Sequence, residues 1–458
     1  MRKLALVLVL LTCVAPARAS VITTGDVDPG GAGSQPDPWN AGNFLRVGHH
    51  ADGTLDITAG GAVSNVNGYL GVDPGTTGVA TVAGSGSQWN NHALYVGYQG
   101  NGTLNIETAG VVSNTVSWIG WSFGLTGQVT VTGSGSQWNN SGTLWVGYSG
   151  PATLNVIDGG VVTSNYSYLS YYTGSTSEVT VTGSGSQWTN SGYLQVGHFD
   201  SGTLNVTDGG VVSNTYAIIG RNSVSTSGVA VTGMGSQWNN SGYLRVGDVG
   251  SATLNIEAGG VVSNTNGSMG LQSGSTGEAL VSGTGSQWNN SGWLAVGDEG
   301  GDGTLHVEAG GVVTSTNGFM GYDSGSTGLA TVTGMGSQWT NSSSLYVGYQ
   351  GNGTLNVEAG GQVSNVVGYL GRYLGSTGVA TVTGTGSQWT NSSDLYIGGR
   401  DYGAGGRGTL NIQAGGEVYS TDGYIGYGSS STGVATVTGA GSKWTNSLGL
   451  VVGRFGDG

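Results

Sequence analysis

Val96 to Asn114 reads VGYQGNGTLNIETAGVVSN, and Ile119 to Asn140 reads IGWSFGLTGQVTVTGSGSQWNN. Both run from an apolar–Gly pair through a glycine-rich turn, an alternating strand and a second glycine turn to an apolar residue near an Asn. Ile106 and Val131 fall at equivalent places, 25 residues apart. In Thr103-Leu104-Asn105-Ile106 the apolar side chains point one way and the polar ones the other, because successive strand residues face opposite sides. Such a strand has one apolar face that it cannot bury alone. Stacking each coil on the previous one buries that face and pairs the backbone as well. Glycines sit between the strands, where tight corners need φ > 0. The expected fold is all-β, a parallel β-helix (β-solenoid), and the usual handedness of parallel connections favours the right-handed form.

The two coils make a double-coil repeat of about 50 residues that recurs along the chain. A Trp preceded by Gly-Ser-Gln, or its variant, stands at Trp89, Trp138, Trp188, Trp238, Trp288, Trp339, Trp389 and Trp444, at spacings of 49, 50, 50, 50, 51, 50 and 55. A Val-Gly or Ile-Gly pair and a Thr-Leu-x-[IV] strand share the period. The extra residues in the two longest units fall in one turn, between Val296 and Thr304 and between Ile397 and Thr409. That is the pattern of a solvent-exposed corner on one side of a rod. At 25 residues per coil the repeat region accommodates roughly 17 coils, a rod of about 80 Å. The last residues, Val451 to Gly458, open another unit without its Thr-Leu-x-[IV] strand, so the solenoid reads as truncated at its C-terminal end.

Composition agrees with this fold. Glycine makes up 94 of 458 residues, which argues against helices, and 13 Trp with 21 Tyr argue against disorder. Residues 1–19 read as a signal peptide: Arg2 and Lys3, an apolar run from Leu4 to Leu11, and a small-x-small site at Ala17-Arg18-Ala19. Residues 20–42 then form an N-terminal cap or atypical first repeat, and 43–458 the solenoid. The apolar run is too short to span a bilayer, and no transmembrane segment is expected in the mature chain. The only cysteine, Cys13, leaves with the signal. Without the signal, 8 basic residues face 25 acidic ones, a net charge of −17, and Lys443 is the only lysine. Nucleic acid is excluded as a partner, because phosphate recognition needs clustered cations.

The stretch Thr381 to Asn391, TVTGTGSQWTN, and Leu395 to Ile397, followed by Gly-Thr-Leu-Asn-Ile from Gly408, resemble a known bacterial repeat. It is the type V secretion (autotransporter) and PEP-CTERM-associated repeat, and the resemblance covers nearly all of the chain from about Gly42. It implies a secreted or outer-membrane-surface passenger region, a stalk or adhesin displaying repeated turns. Its partners would be glycans or a host or matrix surface, and a C-terminal outer-membrane barrel absent from this chain.

Specific chemistry is thinly marked. Trp ladders can stack on sugar rings. Here a core-packing role is favoured, because ladder members lie two coils apart with a Val such as Val112 between them. The outward Asn105, Asn155, Asn205, Asn255, Asn356 and Asn411 are interrupted by Asp56 and His306, so no uniform chemistry runs along them. Asp298, Glu299 and Asp302 form the densest acidic loop, yet calcium needs six to eight oxygens. The turns of the form Gly97 to Gly102 lack the helix that phosphate loops require. Histidines stand at 49, 50, 92, 198 and 306, and His49-His50 shows no third metal ligand at a recognisable spacing. No catalysis, cofactor or metal is expected. The alternative reading is a polysaccharide-active β-helix lyase or hydrolase, which would need paired carboxylates.

Overall fold

The computed structural model describes residues 20–399 and 405–458. The signal-peptide reading (1–19) and the middle of the longer corner insertion (400–404) lie outside them. The described residues contain no helix. They form a β-solenoid whose coils carry three short strands each, as in Asn101–Glu107, Val111–Asn114 and Val116–Ile119. The first strand type stacks into an 18-stranded sheet. Sixteen of its strands, from Gly53–Thr58 to Thr432–Thr438, follow one another in parallel, one fewer coil than the repeat length suggested. The other two types merge into a 33-stranded sheet.

Register follows the half-repeat. Ile106 lies opposite Val131, and Trp89, Val112 and Trp138 are successive neighbours in three coils. Leu104 and Ile106 point inward and are fully buried, while Thr103 and Asn105 are half-buried outside. Corners demand glycine where backbones meet. Gly97 has φ +77°, and a Cβ on Gly102 would come within 2.0 Å of the Gly97 nitrogen.

The Gly-Ser-Gln-Trp motif joins adjacent coils at two points. Its Ser is buried and ties one corner to the corner before it. Ser286 Oγ accepts the Gly259 N–H at 3.0 Å and donates to the Ser282 carbonyl at 2.7 Å. Its Trp fills the interior and donates its indole N–H to an Asn of the preceding coil. The bonds are Trp89 to Asn65 (2.7 Å), Trp138 to Asn114 (2.8 Å), Trp238 to Asn214 (2.8 Å), Trp288 to Asn264 (2.7 Å) and Trp389 to Asn365 (2.7 Å). In two coils Ser164 and Ser315 replace that Asn. Each hydroxyl donates to the following Asn instead, and the indole nitrogens of Trp188 and Trp339 have no partner.

At the N-terminal end, Ser20–Gly25 pairs antiparallel with Gly53–Thr58, and Val21, Val27 and Trp39 cover the first coil's interior. At the other end, the inward Val437, Leu450 and Val452 are 47%, 51% and 56% exposed.

The orphaned indoles give a direct test. Ser164→Asn restores the acceptor found in five other coils and should stabilise the protein by about 1 kcal/mol. Asn214→Ser copies the orphaned arrangement and should cost about 1–2 kcal/mol, both read by equilibrium denaturation.

Candidate binding surface: an outer aromatic ladder

The Trp ladder singled out in the sequence is not a surface feature. Trp89, Trp138, Trp188, Trp238, Trp288, Trp339 and Trp389 are 0% exposed, and Trp444 packs partly buried against the same core. A sugar in solution cannot reach the seven fully buried rings, so for them the stacking alternative is corrected to interior packing.

A different set of aromatic residues lines the outside. Strand alternation turns the residue before each inward Val outward. After the Val, the Gly at positive φ bends the chain and turns the second residue beyond the Val outward too. Tyr95 and Tyr98 flank Val96-Gly97 in this way, edge to face at 5.4 Å and 76°. The coil spacing then stacks equivalent residues. One column runs Tyr69, Tyr95, Trp118, Trp145, Tyr168, with the first three steps at 4.8, 4.4 and 5.0 Å and ring planes within 8°. A second runs Tyr98, Trp121, Tyr148, Tyr171, His198, its last three steps at 4.5, 5.5 and 4.7 Å. Phe319, Tyr346, Tyr369, Tyr396 and Tyr424 form a further column along the rod.

These separations exceed the carbon contact distance of about 3.5–4 Å, so the parallel rings are slipped, the arrangement their quadrupoles prefer. Adjacent columns are nearly perpendicular, as at Trp118–Trp121 (88°), giving a herringbone. Ring faces are therefore occupied by neighbouring rings. What remains towards solvent is mainly ring edges; the Trp145 indole nitrogen is itself buried, and the Tyr168 hydroxyl is paired with that of Tyr193. Burial holds the Tyr148 hydroxyl up to about 12, helped by its bond with Tyr172, and burial also raises Tyr168 and Tyr349. These phenols stay protonated at neutral pH and act as hydrogen-bonding groups, not as bases. His198, half-buried at the end of its column, is pushed down to about 4, first by burial and then by the nearby Arg221.

Between the two aromatic runs the same positions carry other chemistry. Gln195, Ile218, Arg245, Ser268 and Ala295 are successive neighbours in the first column. In the second, the carboxylate of Asp248 is buried and held by Arg221 and by Arg245, the latter at 3.1 Å. Asp298 is also buried, and its carboxyl is pushed up to about 6 by desolvation. Among the described residues, the three side chains whose ligand atoms come within mutual reach are His49, His50 and Asp73, not Asp298, Glu299 and Asp302. The Gly97 to Gly102 turn leads into the strand Asn101–Glu107, as a corner does.

No protein-family model matches the chain, and no curated protein matches it. The repeat resemblance therefore rests on the motifs quoted above. Among solved structures the chain is similar to a hyper-glycosylated fragment of TibA, modified by TibC, at 16% identity and a TM-score of 0.38, covering 90% of this chain and 94% of that one. A likeness this distant assigns nothing; the chain's own strand register defines the fold.

The one sequence trace of the outer ladder is L-[YW]-V-G-Y, present at Leu94–Tyr98, Leu144–Tyr148 and Leu345–Tyr349. That trace does not mark the whole column, because other coils replace its aromatics. Two outcomes follow from its geometry. Trp118→Ala removes ring contacts to Tyr95, Trp121 and Trp145 and should cost about 2 kcal/mol or more, whereas the 77% exposed Phe123→Ala should stay within about 0.5 kcal/mol by denaturant titration. The folded-state value of His198 lies below the ordinary 6.5, so its contribution is present above that value and is lost as pH falls towards 4. His198→Tyr should flatten that part of the stability–pH curve.

Proposed function

We propose that the chain is a secreted, passenger-like β-solenoid stalk of the bacterial cell surface whose outer aromatic ladder is its adhesive strip, with no catalytic role. The ladder carries this reading. Tyr and Trp give large contact area with few rotors, and stacking fixes them before any ligand arrives, so little side-chain entropy is lost on binding. Their edges repeat about every 4.8 Å along the rod. A row of neutral hydroxyl and indole groups at that interval suits an extended, repeating ligand, and a glycan chain is the class that fits. The charged-then-apolar start of the chain and its Ala-Arg-Ala site support export, and the acidic, lysine-poor surface supports solubility without nucleic-acid binding.

The purified mature protein should bind a subset of extended polysaccharides on a glycan array. Tyr148→Ala combined with Trp121→Ala should weaken that binding at least about tenfold, if these rings act as interface anchors. Silence on both glycan and matrix-protein arrays would leave a stalk without adhesion. Release of reducing or unsaturated sugars from a polysaccharide panel would replace the reading with the enzymatic one.

A further inference from the structure

His49 and His50 are neighbours in sequence, and in an extended strand their side chains would point apart. They do not, because Gly48 at φ +73° bends the chain immediately before them. Their rings stack, with centroids 3.7 Å apart and planes 27° apart. The backbone N–H of His50 donates to Asp26 Oδ2 at 2.7 Å, which pins the bend. Asp73, in the next coil, reaches His50 Nδ1 with its Oδ2 at 2.7 Å. One ligand atom from each of His49, His50 and Asp73 lies within 4.8 Å of the others. A further carboxylate stands behind them: Asp28 Oδ2 is 3.9 Å from His49 Nδ1 and is held by Arg46 at 2.7 Å.

We infer that His49, His50 and Asp73 form a binding site for a first-row divalent transition ion of the zinc type. Two imidazole nitrogens and one carboxylate are the donor set such ions favour, whereas calcium and magnesium take oxygen. Metal–ligand bonds of about 2.0–2.2 Å set tetrahedral donor atoms about 3.4 Å apart, so a pair at the 4.8 Å limit closes by roughly 1 Å while the 2.7 Å His50–Asp73 pair opens slightly around the ion. The side chains have that freedom, since His50 is 71% exposed and Asp73 40%. Three protein donors leave the fourth position of a tetrahedral ion to water or an external ligand. Asp28, held by Arg46, lies 3.9 Å from His49 Nδ1, a carboxylate beside the site and not a hydrogen-bond partner of the ring.

The test uses the mature chain without a polyhistidine tag and zinc chloride alone, followed by calorimetry at pH 7.5. One equivalent should bind in the micromolar range or tighter, and calcium should give no saturable heat. His50→Ala and Asp73→Asn should each weaken zinc binding at least about tenfold, while His92→Ala, an exposed histidine elsewhere, should leave it unchanged. Wild-type protein loaded with cobalt(II) should show the visible bands of a four-coordinate nitrogen–oxygen site, a readout that needs no variant. Absence of saturable zinc binding, equal binding by folded His50→Ala protein, or absence of those bands overturns the proposal.

Discussion

Everything in this molecule depends on one constraint: each coil must return to the same register on its neighbour. A strand such as Thr103-Leu104-Asn105-Ile106 has an apolar side that only the adjacent coil can cover, and its backbone groups find partners only there. Errors of one residue would turn the apolar side outward. The extra residue between Val296 and Thr304 shows how the constraint is met. It is absorbed at the corner around Asp298 to Gly301, and the strand Asp302–Glu308 still pairs in step with both neighbours. Length variation is confined to corners because they alone carry no register.

The interior obeys a second rule, that volume and polarity must match from coil to coil. Large Trp and small Val alternate along one face, so each indole rests between valines and not on another indole. A buried indole N–H needs an acceptor, and the preceding coil's Asn supplies one in the same register that pairs the strands. Ser164 and Ser315 break this arrangement, and their coils persist because the surrounding ladder over-determines the position.

How much of this the sequence carries depends on which rule placed a residue. The inward Ile106–Val131 and Trp89–Val112–Trp138 relations are written as near-identical repeats, because each coil imposes the same demand, and they were legible. The outward aromatics were not, since Tyr95, Trp118, Gln195, Arg245 and Ala295 all occupy one column, and no single residue type marks it. The recurrent Trp is plain in the sequence: it repeats because each double coil buries it. His49-His50 was visible as a pair, but its third ligand stands 23 residues beyond His50, one coil on. In a solenoid that distance in sequence is adjacency in space, so metal spacings drawn from hairpins and helices do not apply.

The same logic separates stability from recognition along the rod. Backbone register fixes where an outward side chain sits, whatever its identity, and the column therefore accepts aromatic, ionic or small residues without disturbing the coil beneath. At Arg221, Asp248 and Arg245 an ion-pair cluster occupies the spacing that rings occupy on either side. A surface built this way changes chemistry coil by coil while the core register stays the same, although within an aromatic run each ring also contributes contacts to its neighbours. The repeats that make such a fold recognisable are mostly its packing, and the varying outward positions are the ones free to differ in chemistry.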